Sequence, residues 1–330
     1  MSILIKDVIY KFISVPELCK QFIDTIEFNR LRRIKQLGFV HFVFPSANHT
    51  RFEHSLGVMH LSGKVLDKLI SQGVKISSRE KDLVQLAGLL HDAGHTAFSH
   101  FFDYILEENE KNTLNKETKH ELLHHEDRSI YILKRINQRK NLLTKNEEDK
   151  ISKMIKGDIS NEDKPFLFEI IKNKEFGLDV DRLDYLQRDM YYTSMPCFQS
   201  EYILECLRVQ NNRLCLLKKS LPEIEMMYEA RKRLLLIVCR HKTVIKIENT
   251  IRKLMEKLNI DYTWFEKNWL KLNDERMLNI LEEASYEDIA NLYERNWKET
   301  NTENRLEHIE IINRNEIEEQ IKKVIWFSEE

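Results

Sequence analysis

Apolar residues recur at helical spacing along most of the chain. Over 51–70 the positions Leu56, Val58, Leu61, Val65, Leu66 and Leu69 form one face. A second helix is predicted from Ser78, read as its N-cap, through Leu83, Leu86, Ala87 and Leu90 to His91. Gly94 interrupts the pattern, and a third helix is predicted from Thr96 or Ala97, carrying Phe98, Phe101, Phe102, Ile105 and Leu106. Helical patterns continue over 15–37, 121–138, 146–156, 165–173, 181–191, 222–260 and 264–326. Three stretches break the rule. Residues 3–13 partly alternate, and the aromatic run His41-Phe-Val-Phe-Pro45, punctuated by Pro45 and Asn48, reads as a small strand or extended turn. Residues 207–217 form two short runs around Asn211-Asn212, a hairpin signature because asparagine tolerates the positive φ of a tight turn.

Composition agrees with a mainly α protein. Glycine and proline together supply only 13 of 330 residues, too few for the turns of an all-β fold. The 42% hydrophobic share can bury a sizeable core, and the net charge of -2 gives no global pull toward nucleic acid or membrane. No apolar run is long enough to span a bilayer and no signal peptide opens the chain, so an intracellular, cytoplasmic protein is expected. The five cysteines lack C-x-x-C spacing, which argues against a disulfide framework or a cysteine-rich zinc site.

The twelve histidines change the picture, because ten fall between positions 41 and 125, several beside carboxylates. Four segments stand out: Arg51-Phe-Glu-His54, His91-Asp92-Ala-Gly-His95-Thr-Ala-Phe-Ser-His100-Phe-Phe-Asp103, His124-His125-Glu126, and Asp179-Val-Asp181-Arg182-Leu-Asp184-Tyr185. Imidazole with carboxylate suits divalent iron, manganese, zinc or magnesium. His100 and Asp103 lie three apart on a predicted helix and share a face, where a carboxylate can fix an imidazole tautomer for acid–base work. Asp181, Asp184, Tyr185 and Arg188 fall at i, i+3, i+4 and i+7, a polar stripe that is costly to bury without a ligand or network. His49, His60, His120 and His308 have no partner pattern, and Trp264, Trp269, Trp297 and Trp326 read as packing residues of the C-terminal helices.

The ordered set His54, His91-Asp92, Asp181 resembles the metal-binding pattern of the HD-domain phosphohydrolase superfamily. The surrounding segments 30–38, 43–45, 51–58, 91–100 and 179–189 are similar to its branch of sterile-alpha-motif and HD-domain deoxynucleoside triphosphate triphosphohydrolases. That resemblance implies a helical HD core over 1–220 with one or two small hairpins, and a helical lobe over 221–330 contributing phosphate-binding residues. It implies one transition metal (Fe, Mn or Zn) held by His54, His91, Asp92 and Asp181, with Mg or Mn bridging the substrate phosphates. The implied reaction is attack at the α-phosphorus of a deoxynucleoside triphosphate, giving deoxynucleoside and inorganic triphosphate. His100, oriented by Asp103, matches the general acid. His95, His125 and Glu126 match supporting and phosphate-positioning groups, and Arg51, Arg182 and Arg231 would neutralise phosphate. Gln36 and Asp189 match groups that bind the sugar 3′-hydroxyl, and Leu37 and Tyr185 match the sugar-pocket walls.

Departures from the family pattern bear on the substrate. Cys239-Arg240 stands where the family has tyrosine then glutamine, and Arg182 replaces a lysine. Asp24 and Arg32 match a regulatory site for activating guanine nucleotide, whereas Asn29 replaces a glutamine and Lys6 an asparagine. A homo-oligomer, dimer or tetramer, is expected. Two alternatives stay open: an HD hydrolase of another nucleotide, and an inactive scaffold that binds nucleic acid through Arg30/Arg32/Arg33/Lys35 and Arg231/Lys232/Arg233/Arg240/Lys242.

Overall fold

The computed structural model describes residues 3–112, 121–296 and 314–327. His120, Trp297 and His308 lie outside the described residues. The alternating start is an antiparallel hairpin, β1 (Ile3–Asp7) and β2 (Lys11–Val15), in which Ile3 pairs with Val15 and Asp7 with Lys11. Asp7 Oδ1 accepts the N–H groups of Ile9 and Tyr10, which closes its turn.

The helical stretch expected over 15–37 is instead three short pieces: α1 (Glu17–Ile23), α2 (Ile26–Asn29) and a 3₁₀ turn, Arg30–Arg33. Thr25 divides α1 from α2 by capping the second, its side chain accepting from Phe28 N–H. The aromatic run is not a strand; Gly38–Phe42 is 3₁₀-helical and leads into a turn over 43–46.

Two long helices carry the centre of the molecule. The first, α3 (Arg51–Ser71), opens with Glu53 reaching back to the Thr50 N–H, and its buried face includes Leu56, Val65 and Leu66. The second, α4 (Ser78–Leu90), packs along α3. Its cap is Ser77, not Ser78, because Ser77 and Glu80 form a reciprocal capping box. The third helix, α5 (His100–Asn112), begins later than its apolar spacing suggests: Phe98 and Ser99 adopt φ of 60° and 57°, which no α-helix accommodates.

Next come α6 (His125–Lys140), α7 (Lys145–Lys156), α8 (Pro165–Glu169), α9 (Val180–Tyr192) and α10 (Glu201–Cys206). The predicted hairpin is β3 (Leu207–Gln210) and β4 (Arg213–Leu216), with Asn211 and Asn212 at φ 51° and 58°. Beyond it lie α11 (Leu221–Arg233), α12 (Lys242–Lys257), α13 (Tyr262–Asn268), α14 (Asp274–Ala284), α15 (Tyr286–Tyr293) and α16 (Arg314–Lys323). A π-helical turn, Leu234–Cys239, separates α11 from α12.

The fold is therefore mainly α with two small hairpins. One apolar cluster extends from Ile13 through α3 and α4 to Leu281 and Val324, so the C-terminal helices share the core of the rest. Among the described residues no helix is long and apolar enough to cross a membrane.

Candidate metal centre and adjoining cavity

α3, the end of α4 and the start of α9 meet at His54, His91 and Asp181. Ligand atoms of these three lie within 4.8 Å of one another. Each imidazole has its Nδ1 side already engaged: His54 donates to Asp184 Oδ2 at 2.8 Å, and His91 donates to the Gly88 carbonyl at 2.8 Å. Both therefore turn Nε2 inward, 3.3 Å apart. A carboxylate or carbonyl behind the ring fixes the tautomer and strengthens the inward nitrogen as a ligand. Asp181 Oδ1 lies 3.1 Å from His54 Nε2 and 3.5 Å from His91 Nε2, and Asp92 Oδ2 lies 3.4 and 3.5 Å from the same atoms.

Burial disfavours a charged His54, but the carboxylates of Asp181, Asp184 and Asp92 outweigh it and hold the imidazole well above its ordinary pKa. Burial likewise works against ionised Asp92, whereas His91 and Arg51 pull it well below the usual range. A divalent cation would replace those protons as the positive partner. The donor set, two bare Nε2 atoms and two carboxylates, fits one.

A second cluster adjoins the first through Asp92, whose Oδ1 faces His95 Nε2 at 3.4 Å and His125 Nε2 at 3.9 Å. His95 is fully buried, its ring stacks on His125 at 4.2 Å, and neither of its ring nitrogens is hydrogen-bonded. Burial and the positive Arg51 hold it neutral, far below its ordinary pKa. Asp103 does not pair with His100, the neighbour expected from i, i+3 spacing. Its Oδ2 faces His125 Nδ1 at 3.3 Å and its Oδ1 accepts from Arg128, because α6 packs against that side of α5. His100, as the first residue of α5, opens instead into a cavity of about 550 Å³ shared with Asp103, His125, Glu126, Cys239 and Arg240. Burial of its surroundings, with Arg51 and His125 nearby, lowers His100 to about 4.

A match to the family model of the HD domain covers residues 51–189, from the start of α3 to Asp189 on α9, and takes in both clusters except the cavity wall from α11–α12. The chain carries an HD domain. It is 37% identical over 253 residues to the deoxynucleoside triphosphate triphosphohydrolase SAMHD1 homolog of Dictyostelium discoideum, covering 75% of this chain and 48% of that protein. It is 33% identical over 261 residues to the human deoxynucleoside triphosphate triphosphohydrolase SAMHD1, covering 72% and 42%. To an uncharacterized protein of Methanocaldococcus jannaschii it is 32% identical over 292 residues, covering 87% and 53%. The chain thus spans about half the length of the curated relatives it matches.

Other residues singled out in the sequence take varied places around the HD domain. Arg51 is buried, with its guanidinium on Asp92 Oδ2 at 2.5 Å and on Ser99 Oγ at 3.0 Å. Glu126 is tied to Lys172 Nζ at 2.5 Å; burial opposes its charge, but His125 and Lys172 draw it to about 2. Arg182 and Arg231 bracket Tyr185 and Tyr228 with positive charge. The Arg182 guanidinium lies over Gly177, where a Cβ would come within 2.5 Å of it. Gln36 is buried with its Oε1 unbonded, and Leu37 packs at the edge of the core. Asp24 and Arg32 lie on the surface, Arg32 over the Phe52 ring at 3.5 Å.

Several residues to which the sequence assigned no role here, or in the case of Arg30 a different one, surround the candidate site. His49, read as a bystander, donates from Nε2 to Asp189 at 2.7 Å and stacks on Tyr192. Tyr10, from the N-terminal hairpin, donates to Asp184 at 2.8 Å, behind His54. Arg128 and Arg30, both buried, bond the carbonyls of Gly94 and of Ala93 and His95, and so brace the loop after His91-Asp92. The Arg188 guanidinium, part of the recognised stripe, closes on Asp184 and Asp7.

Proposed function

We propose that this protein hydrolyses deoxynucleoside triphosphates to deoxynucleoside and inorganic triphosphate. The observation that carries the reading is the meeting of the two inward-facing Nε2 atoms of His54 and His91 with Asp92 and Asp181, beside a cavity into which His100 opens. The relatives from Dictyostelium discoideum and human carry the name deoxynucleoside triphosphate triphosphohydrolase. His54, His91, Asp92 and Asp181 would hold one divalent transition metal, Fe, Mn or Zn. Such an ion supplies Lewis acidity and lowers the pKa of a water it binds.

The protein's own groups do the rest. Arg51 keeps Asp92 ionised and oriented. His100 delivers the proton to the leaving 5′-oxygen; its depressed pKa rises when a polyanionic triphosphate lies beside it. His95, His125 and Glu126 position the phosphates, whose charge a second divalent ion, Mg or Mn, would help to offset, and Arg182 and Arg231 neutralise phosphate charge with a planar fork that matches it. Gln36 offers its unbonded Oε1 to the sugar 3′-hydroxyl, Asp189 is held ready by His49, and Leu37 and Tyr185 wall the sugar. Activation by guanine nucleotide at Asp24 and Arg32, and assembly into a dimer or tetramer, belong to the same reading.

Triphosphate release from each of the four deoxynucleotides tests it, with Mn²⁺ or Mg²⁺ and with or without GTP. Release of triphosphate rather than diphosphate or monophosphate supports the reaction; no release from any of the four overturns it. The Cys239-Arg240 pair in the cavity wall favours one second reading, a hydrolase that also accepts ribonucleotides, and parallel assays with ribonucleotides decide it.

A further inference from the structure

Two short segments deliver His100 and Gln36. One is 96–99, in which Phe98 and Ser99 take left-handed φ of 60° and 57° although neither is glycine. Such a conformation persists only where the surroundings over-determine it, and observed strain is a pointer to function. The other is 35–38, which ends at Gly38 with φ 51°, packed so closely on the Phe98 carbonyl that a Cβ would lie 3.0 Å from it.

The two segments are joined by Ser99 Oγ donating to the Lys35 carbonyl at 2.7 Å. They are joined a second time by a carboxylate far along the chain. Asp274 accepts the Lys35 N–H on Oδ2 at 2.9 Å and the Phe98 N–H on Oδ1 at 2.8 Å. Asp274 is the first residue of α14 and is 6% exposed. Its own helix does not need it as a cap, since the Asn273 side chain accepts the Arg276 N–H. Both oxygens are committed outside α14, one to each segment.

We infer that Asp274 is a positioning residue: from the C-terminal helices it locks segments 35–38 and 96–99 together and so sets the backbone from which Gln36 and His100 project. It touches neither metal ligand nor cavity and acts through those two backbones. The inference rests on the function proposed above for its kinetic readout, and on hydrogen exchange for a readout that does not.

The test compares wild type, Asp274→Ala and Asp274→Asn, the last keeping one acceptor oxygen. Triphosphate release, metal content and amide exchange are measured on each. For Asp274→Ala, kcat per folded, metal-loaded chain should fall about 100-fold, as a misplaced reacting group does, while KM shifts far less. Asp274→Asn should recover part of that loss. Exchange should accelerate in 35–38 and 96–100 and stay unchanged in α3. Unchanged kcat, or a loss matched by the loss of folded protein, overturns the inference. If wild type itself releases no triphosphate, the proposed function fails and exchange alone decides: acceleration confined to the two segments supports the clamp, and unchanged exchange overturns it. Should the alanine variant not fold, Asp274→Asn carries the same comparison with an intermediate loss.

Discussion

His54 is held from two sides, Nδ1 by Asp184 and Nε2 among Asp92, Asp181 and His91, and the Asp184 carboxylate is itself gripped by Arg188 and Tyr10. Burial pushes the Asp184 pKa up, but Arg188 and His54 bring it down to about 2. The ring is thus fixed before any ion arrives. Replacing His91 and Asp92 together by alanine should abolish both turnover and metal retention while leaving helix content intact; metal analysis with far-ultraviolet circular dichroism checks it, and retained metal would refute the ligand set. In the cavity wall, Cys239→Tyr should sharpen the preference for deoxy over ribo substrates, since a bulkier side chain crowds a 2′-hydroxyl. The ratio of kcat/KM values reads this, and an unchanged ratio refutes it. At this scale the residue types of the candidate site were legible in the sequence, because a metal or acid–base site demands histidine and carboxylate. Their supports were not: the partner of His54 lies 130 residues away and that of His49 140 residues away, and nothing in local spacing marks such pairs.

Gly94 shows how elements meet around the site. A Cβ there would lie 2.0 Å from the His125 carbonyl and 2.5 Å from the Ser129 amide, so α6 packs backbone to backbone on the loop after His91-Asp92. Ser129 and Arg128 complete the junction by bonding Gly94 N–H and carbonyl. Gly94→Ala should destabilise the fold by about 3 kcal/mol, the cost of overpacking a contact that cannot give, and should move His125 away from Asp103. Urea unfolding measures the first effect; a stability within experimental error of wild type would mean the helices separate freely. The long helices and the Asn211-Asn212 hairpin were readable from periodicity and turn chemistry. The late start of α5 was not, because its left-handed turn is built from Phe98 and Ser99, residues that carry no turn signal and are held there by bonds from distant elements.

For the whole molecule, Asp274 links stability to pH. Burial, only partly offset by the Lys35 and Phe98 N–H groups, raises its pKa to about 6. In the unfolded chain the group titrates near its ordinary value of about 3.9. Between these values the folded state keeps a proton that the unfolded state has lost, so this group's contribution to stability declines as pH rises from about 4 to about 6 and is level above. The stability of Asp274→Asn relative to wild type should therefore climb across that window by on the order of 3 kcal/mol. Denaturation at stepped pH checks it, and a flat difference curve would show that the carboxyl titrates normally.

Sequence alone determined that the protein is helical, where its hairpin turns, and which histidines and aspartates are candidates for a metal site, because propensity, periodicity and ligand type are local properties. Tertiary structure alone decided what each of those side chains touches. It set Asp103 on His125 rather than His100, committed Arg51 to Asp92, brought Tyr10, His49 and Arg128 to the candidate site from distant positions, and set Asp274 on the backbones of Lys35 and Phe98 beside it. A buried polar group must find a partner wherever the packed chain offers one, and that choice is made only when the helices close on one another.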